Sequence, residues 1–142
     1  MLPSQMNKKY QILKDIFGHD KFRSFQEEVV DCILANQDVL TILPTGGGKS
    51  LCYQLPTLLM DGTTVVISPL IALMQDQIKA LNDLNIKASM ISSATSNDEN
   101  SFTLQKLLNG ELKFIYIAPE RFTSNEFVGV LQRININYFV ID

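Results

Sequence analysis

Leu43-Pro44-Thr45-Gly46-Gly47-Gly48-Lys49-Ser50 is the segment whose residue types and spacing point most directly to chemistry. Three successive glycines let the backbone curl until neighbouring N–H groups point at one spot, a geometry that holds a phosphate. Lys49 has the reach for β- and γ-phosphates, and the Ser50 hydroxyl is placed to bind a magnesium ion. The general pattern is G-x-x-x-x-G-K-[ST], and Leu43 stands where its first glycine would be. A Gly-rich turn without chemical meaning has no reason to sit between a strand and a helix. Here Asp38–Leu43 reads as a buried strand, and a helix starting near Lys49 would add its positive dipole end to the same spot. The segment predicts binding of a nucleoside triphosphate through Thr45, Gly46, Gly47, Gly48, Lys49 and Ser50.

The elements around it alternate helix and strand. Lys8–Phe17 reads as a helix with Tyr10, Leu13 and Phe17 on one face. Ser24 with Glu27 has the spacing of a capping box for a second helix to about Ala35. Lys49–Met60 reads as a helix stopped by Asp61-Gly62. Then come a β-branched strand at Thr63–Ser68, a helix at Leu70–Leu84 and a weaker strand at Ile86–Ser92. A polar-faced helix at Asn97–Asn109, stopped by Gly110, leads to strands at Lys113–Ile117 and Tyr138–Ile141 around a helix at Ser124–Gln132. Nearly continuous apolar strands imply a sheet covered on both faces, as in a mostly parallel α/β sheet with crossover helices. Ligands of such sheets bind beyond the strand C-ends. Thr45 to Ser50, Ser68-Pro69, Ser92-Ser93, Ala118 to Arg121 and Asp142 all fall there.

The bulk numbers narrow the classes. A chain of 142 residues is one domain's worth and can bury about two-thirds of its unfolded surface. A net charge of -3 gives no basic blanket for nucleic acid, although backbone amides and helix N-termini also hold phosphates. Cys32 and Cys52 read as reduced, mostly buried thiols within helices. No signal core and no membrane-length apolar run is present in the sequence, so the expectation is a cytoplasmic protein without a membrane partner. Asp142 follows a strand with no helix after it, which reads as the cut end of a longer protein.

Further segments agree in order and spacing with one family. Val39–Pro56 resembles motif I of RecQ-type DNA helicases. Phe17-Gly18-His19-Asp20-Lys21-Phe22-Arg23-Ser24-Phe25-Gln26 resembles their motif 0, Val66–Gln77 motif Ia and Tyr116–Arg121 motif Ib. Tyr138–Asp142 matches the run into the DEAH box. The resemblance spans about Tyr10 to the end and implies a RecA-like phosphate-loop NTPase lobe over residues 1–142, reaching the DEAH motif, with N-terminal helices and motif 0 in residues 1–35.

The resemblance also assigns roles. A glutamine amide matches the N6/N7 edge of adenine, and Gln26 takes that place. Arg23 would stack its guanidinium on the base. His19 stands where the family commonly has a tyrosine, and an imidazole offers less stacking area; a surface histidine in a turn is the alternative. Ser68, Pro69 and Leu70 would face a DNA backbone at a helix N-terminus, with Ser68 also able to act as a helix cap. Ser92 and Ser93 repeat that arrangement. Pro119, Glu120 and Arg121 would line the single-strand path, a surface ion pair being the alternative for the last two. Asp142 would hold magnesium opposite Ser50.

The function implied is ATP-dependent 3′-to-5′ unwinding of single-stranded and partly duplex DNA in repair and recombination, with ATP and magnesium. A second RecA-like lobe would be the partner, and zinc would belong to parts outside this chain. In a bacterium such a protein would associate with the nucleoid. Two rivals stand beside it. A DEAD-box RNA helicase usually shows Pro-Thr-Arg-Glu-Leu in motif Ia, where this chain has Ser68-Pro69-Leu70-Ile71-Ala72. A non-catalytic nucleotide-binding module would differ in the residue after Asp142.

Overall fold

The computed structural model describes residues 3–44, 46 and 48–142. They fall into two compact units, one up to Met60 and the other from Asp61.

The first unit is helical: α1 (Pro3–Asp15), α2 (Gln26–Leu34) and α3 (Lys49–Thr57). Leu13, Val30, Leu51 and Leu55 form its core, with Ile12, Phe17, Phe22, Leu34 and Leu59 packed against them. Burying each of the first four contributes roughly 1.5–3 kcal/mol. Leu13 and Phe17 take the inward places that the periodicity predicts, whereas Tyr10 is half-exposed with its ring 5.9 Å from that of Phe22.

Lys9 is buried, its ammonium 2.5 Å from Asp31 and 3.0 Å from Glu27, and the Tyr10 hydroxyl also donates to Glu27. The Tyr10 hydrogen bond, followed by that from Lys9, lowers the Glu27 pKa. A depressed carboxylate stabilises the fold above its unfolded pKa and loses that contribution as pH falls through the folded value. Wild-type protein is therefore expected to lose thermal stability on acidification through and below the ordinary carboxylate range, and Glu27→Gln to flatten that loss. Parallel pH profiles of melting temperature for the two proteins would contradict the assignment.

Two expectations for this unit are corrected. The Ser24–Glu27 capping box does not form: α2 begins after Phe25 in a left-handed conformation (φ 72°) with no side-chain cap bond. Glu27 is taken by Lys9 and Tyr10 instead, and the Gln26 side chain accepts from the Arg23 amide. The strand expected over Asp38–Leu43 is also not one. Leu40 is 90% exposed and Ile42 88%, and the four-stranded sheet does not include the segment. An apolar run becomes a strand only where a neighbour's edge satisfies its backbone groups.

The second unit is a parallel sheet of β1 (Thr63–Ile67), β2 (Ala88–Ile91), β3 (Phe114–Ile117) and β4 (Ile136–Ile141), in spatial order β2-β3-β1-β4. α4 (Ile71–Asp83) follows β1, α5 (Asn97–Leu108) follows β2, and α6 (Asn125–Leu131) follows β3 after a short 3-10 helix at Pro119–Thr123. Val65, Ile91, Ile115 and Ile117 point from one face into a core with Leu104 and Leu107 of α5 and Phe127, Val130 and Leu131 of α6. Alternation turns Val66, Phe114 and Tyr116, all fully buried, to the other face. α4 packs against β2 and buries Met74 and Leu81.

The β1–β4 register slips by one residue between Thr63 and Val65. The Asn137 side chain repairs it, accepting from the Gly62 amide at 2.8 Å and donating to the Gly62 carbonyl at 2.9 Å. A Cβ on Gly62 would run into the Asn135 carbonyl and the Asn137 side chain, so only glycine fits this approach.

Candidate functional site

In the first unit, α3 starts at Lys49 directly after Gly48, which is left-handed (φ 78°), and no side chain caps the helix. Backbone N–H groups at such a start, together with the helix dipole, favour an anion. Lys49 is exposed at this first position, while Leu51 and Leu55 fix the helix in the core. Ser50 is half-buried on the same turn. Thr45 and Gly47 lie outside the described residues.

Residues from the segment that resembles motif 0 reach the glycine-rich loop. Gln26 donates through Nε2 to the Gly48 carbonyl at 3.0 Å, and its Oε1 accepts from the Arg23 amide at 2.7 Å. Arg23 donates through Nη1 to the Gly46 carbonyl at 2.6 Å. Gly48 approaches Gln26 so closely that a Cβ would overlap the amide nitrogen. An amide offers two N–H donors and two acceptor lone pairs, and these bonds use one of each. The Gln26 side chain is buried, 4% exposed, between these two partners. His19 is exposed beyond the end of α1, its amide bonded to the Leu13 carbonyl. Sequence reading placed Gln26 and Arg23 beside a nucleotide but missed that each holds a loop carbonyl.

In the second unit, parallel pairing puts every strand C-end on one edge. Strand order then sets the residues that follow them side by side: Ser92, Ala118-Pro119, Ser68 and Asp142. Neighbouring strands lie about 4.8 Å apart, so adjacent loops are within contact range. Ser68 is buried; its amide donates to the Ile117 carbonyl and its hydroxyl accepts from the Leu70 amide at 3.2 Å, turning the chain into α4. Pro69 and Leu70 are exposed on that turn. Ser92 is fully buried and its hydroxyl accepts from the Ala94 amide, whereas Ser93 is exposed. Pro119 opens the 3-10 helix, as a proline suits a first helical turn. Glu120 is exposed, and Arg121 donates to the Ser92 carbonyl at 2.9 Å. Asp142 is exposed, its amide bonded to the Ile67 carbonyl.

Among the described residues no cluster of three or more His, Cys, Asp or Glu side chains is placed to hold a metal. Magnesium in nucleotide sites takes one or two protein ligands and keeps phosphate oxygens and waters for the rest. The Ser50 hydroxyl in the first unit and the Asp142 carboxylate in the second are each of a donor type that magnesium accepts. No described helix is long and apolar enough to cross a membrane.

The family model for DEAD/DEAH box helicases matches residues 23–142. The chain belongs to the DEAD/DEAH box helicase family. Its sequence is 46% identical over 138 residues to "ATP-dependent DNA helicase RecQ" of Bacillus subtilis, covering 96% of this chain and 23% of that protein. It is 43% identical over 125 residues to "ATP-dependent DNA helicase Q1" of Rattus norvegicus, covering 86% of this chain and 20% of that one. The chain therefore spans about a fifth to a quarter of the relatives it matches. Among solved structures, the DUF1998 helicase MrfA bound to DNA has a TM-score of 0.77 at 24% identity, covering 100% of this helicase chain and 22% of that one. A hypothetical ATP-dependent RNA helicase from Sulfolobus tokodaii follows at 0.69 and 19% identity, covering 96% and 41%. These likenesses bear out the α/β helicase-lobe fold.

Proposed function

We propose that the full-length protein carrying this chain is a RecQ-type ATP-dependent DNA helicase acting in repair and recombination. In this reading residues 1–142 are its first RecA-like lobe, with motif 0 in the N-terminal helices and a second RecA-like lobe as partner. The observation that carries it is the hold of motif 0 on the phosphate loop, Gln26 on Gly48 and Arg23 on Gly46. A nucleotide-binding module without base choice has no need of that link.

The chain's residues divide the work. The loop amides from Thr45 to Gly48 and the start of α3 cradle the phosphates, and Lys49 stabilises charge that builds on the transferring phosphoryl group. Gln26 reads adenine, while Arg23 and His19 bracket the base. Bound magnesium would be held by Ser50 and Asp142 and would neutralise phosphate charge. Ser68, Pro69, Leu70, Ser92, Ser93, Pro119, Glu120 and Arg121 border the path of single-stranded DNA. Strand travel runs 3′ to 5′. The protein works in the cytoplasm, at the nucleoid if bacterial.

The test is ATP turnover by the full-length protein with single-stranded DNA, with single-stranded RNA and with neither. Stimulation by DNA well above that by RNA is expected. Stimulation by RNA alone would establish the RNA-helicase rival, and no turnover under any of the three conditions the non-catalytic one.

A further inference from the structure

The Ser92 carbonyl, at the end of β2, collects donors from three directions. Arg121 Nη2 reaches it at 2.9 Å, Asn100 Nδ2 at 3.3 Å and the Thr95 hydroxyl at 2.9 Å. The Asn100 side-chain oxygen faces the same Thr95 hydroxyl, which in turn lies 3.2 Å from the Ser92 amide. Ser92 is fully buried and Asn100 is 6% exposed, so this hub lies beneath the surface. The loop's far end is closed separately: Ser96 and Glu99 form a capping box on α5. What protrudes is Ser93 and Ala94, both exposed. Arg121 belongs to the next loop along the edge, on the 3-10 helix after β3.

We propose that Arg121 and Asn100 are positioning residues: Arg121 ties the segment after β3 to the Ser92 carbonyl, and Asn100, on α5, holds that carbonyl in place, so that Ser93, Ala94 and Pro119 meet a DNA strand as one rigid surface. The proposal rests on the DNA-binding reading above. An arginine serving only a phosphate has no reason to aim a donor at a buried carbonyl, whereas a charge-assisted bond to that carbonyl is what a strut between loops requires. Asn100 completes the lock from below. Its amide donates to the carbonyl, and its oxygen competes with that carbonyl for the single Thr95 hydroxyl proton, so the turn is held through either bond. Ordering the two loops before DNA arrives removes that cost from binding.

Salt dependence separates a strut from a phosphate contact. Each phosphate contact to a single strand contributes about 0.7 to the slope of log affinity against log salt. In the full-length protein, Arg121→Ala is expected to weaken single-stranded DNA binding about three- to tenfold with the slope unchanged. Asn100→Ala, which removes no charge, should give the same signature and keep DNA-free ATP turnover. The double variant should lose little more than either single one, because both break one lock. A slope flattened by about 0.7 in Arg121→Ala would overturn the proposal in favour of a direct phosphate contact. Unchanged affinity in Asn100→Ala, or additive losses in the double variant, would overturn it too. If wild-type protein binds no DNA at any salt, the helicase reading itself fails, a result distinct from all of these.

Discussion

Lys49→Ala in the full-length protein is expected to abolish DNA-stimulated ATP hydrolysis while leaving the melting curve in place. Lys49 is exposed at the first position of α3, and the core contacts of that helix come from Leu51 and Leu55. Removing its charge therefore opens no cavity. On the proposed reading it takes away a donor for charge that develops during transfer, an effect of roughly 10²- to 10³-fold in turnover. Nucleotide binding should weaken less, since loop amides and the helix dipole remain. Turnover close to wild type in a variant with a normal melting curve would refute the phosphate-loop assignment.

Gln26→Ala should erase the preference for ATP over GTP. GTP presents an acceptor where ATP presents its N6 donor, so the remaining capacity of the Gln26 amide is matched by one base and opposed by the other. Unpaired polar groups in such a contact cost roughly 1–3 kcal/mol, or about ten- to hundredfold in discrimination. The same substitution also frees the Gly48 carbonyl from its 3.0 Å bond, so the affinity for ATP should fall along with the preference. Equal use of ATP and GTP by the wild type would refute the adenine reading, and a preference that survives Gln26→Ala would move it to another residue.

Much of the molecule is legible in the order of its residues, and the exceptions share a cause. β1 and β3 fall where β-branched and aromatic runs put them, because both are central strands buried on both faces. Asp38–Leu43 carries the same kind of signal and is not a strand, since periodicity reports what a segment can pair with and never that a neighbour is present. Ser24 and Glu27 have capping-box spacing, yet Lys9 and Tyr10, distant in sequence, take Glu27 first. Phe25 at φ 72° could not be foreseen, since a bulky aromatic is among the residues least expected there. The capping box that does form is Ser96 with Glu99, whose Ser-x-x-Glu spacing went unread in the sequence. At the site, the glycines and Lys49 stand out by their spacing, whereas Gln26 stands out only through the resemblance to motif 0. Arg121 announces only a charge, and its bond to the buried Ser92 carbonyl emerges once β2 and β3 lie side by side.

The central claim is tested most directly by strand separation. Full-length protein would be given a DNA duplex carrying a single-stranded 3′ tail, with a matched 5′-tailed duplex alongside. The account predicts displacement of the strand from the 3′-tailed duplex that requires ATP and magnesium and disappears in Lys49→Ala. ATP bound with no displacement from either duplex would contradict it and leave a nucleotide-binding module in its place.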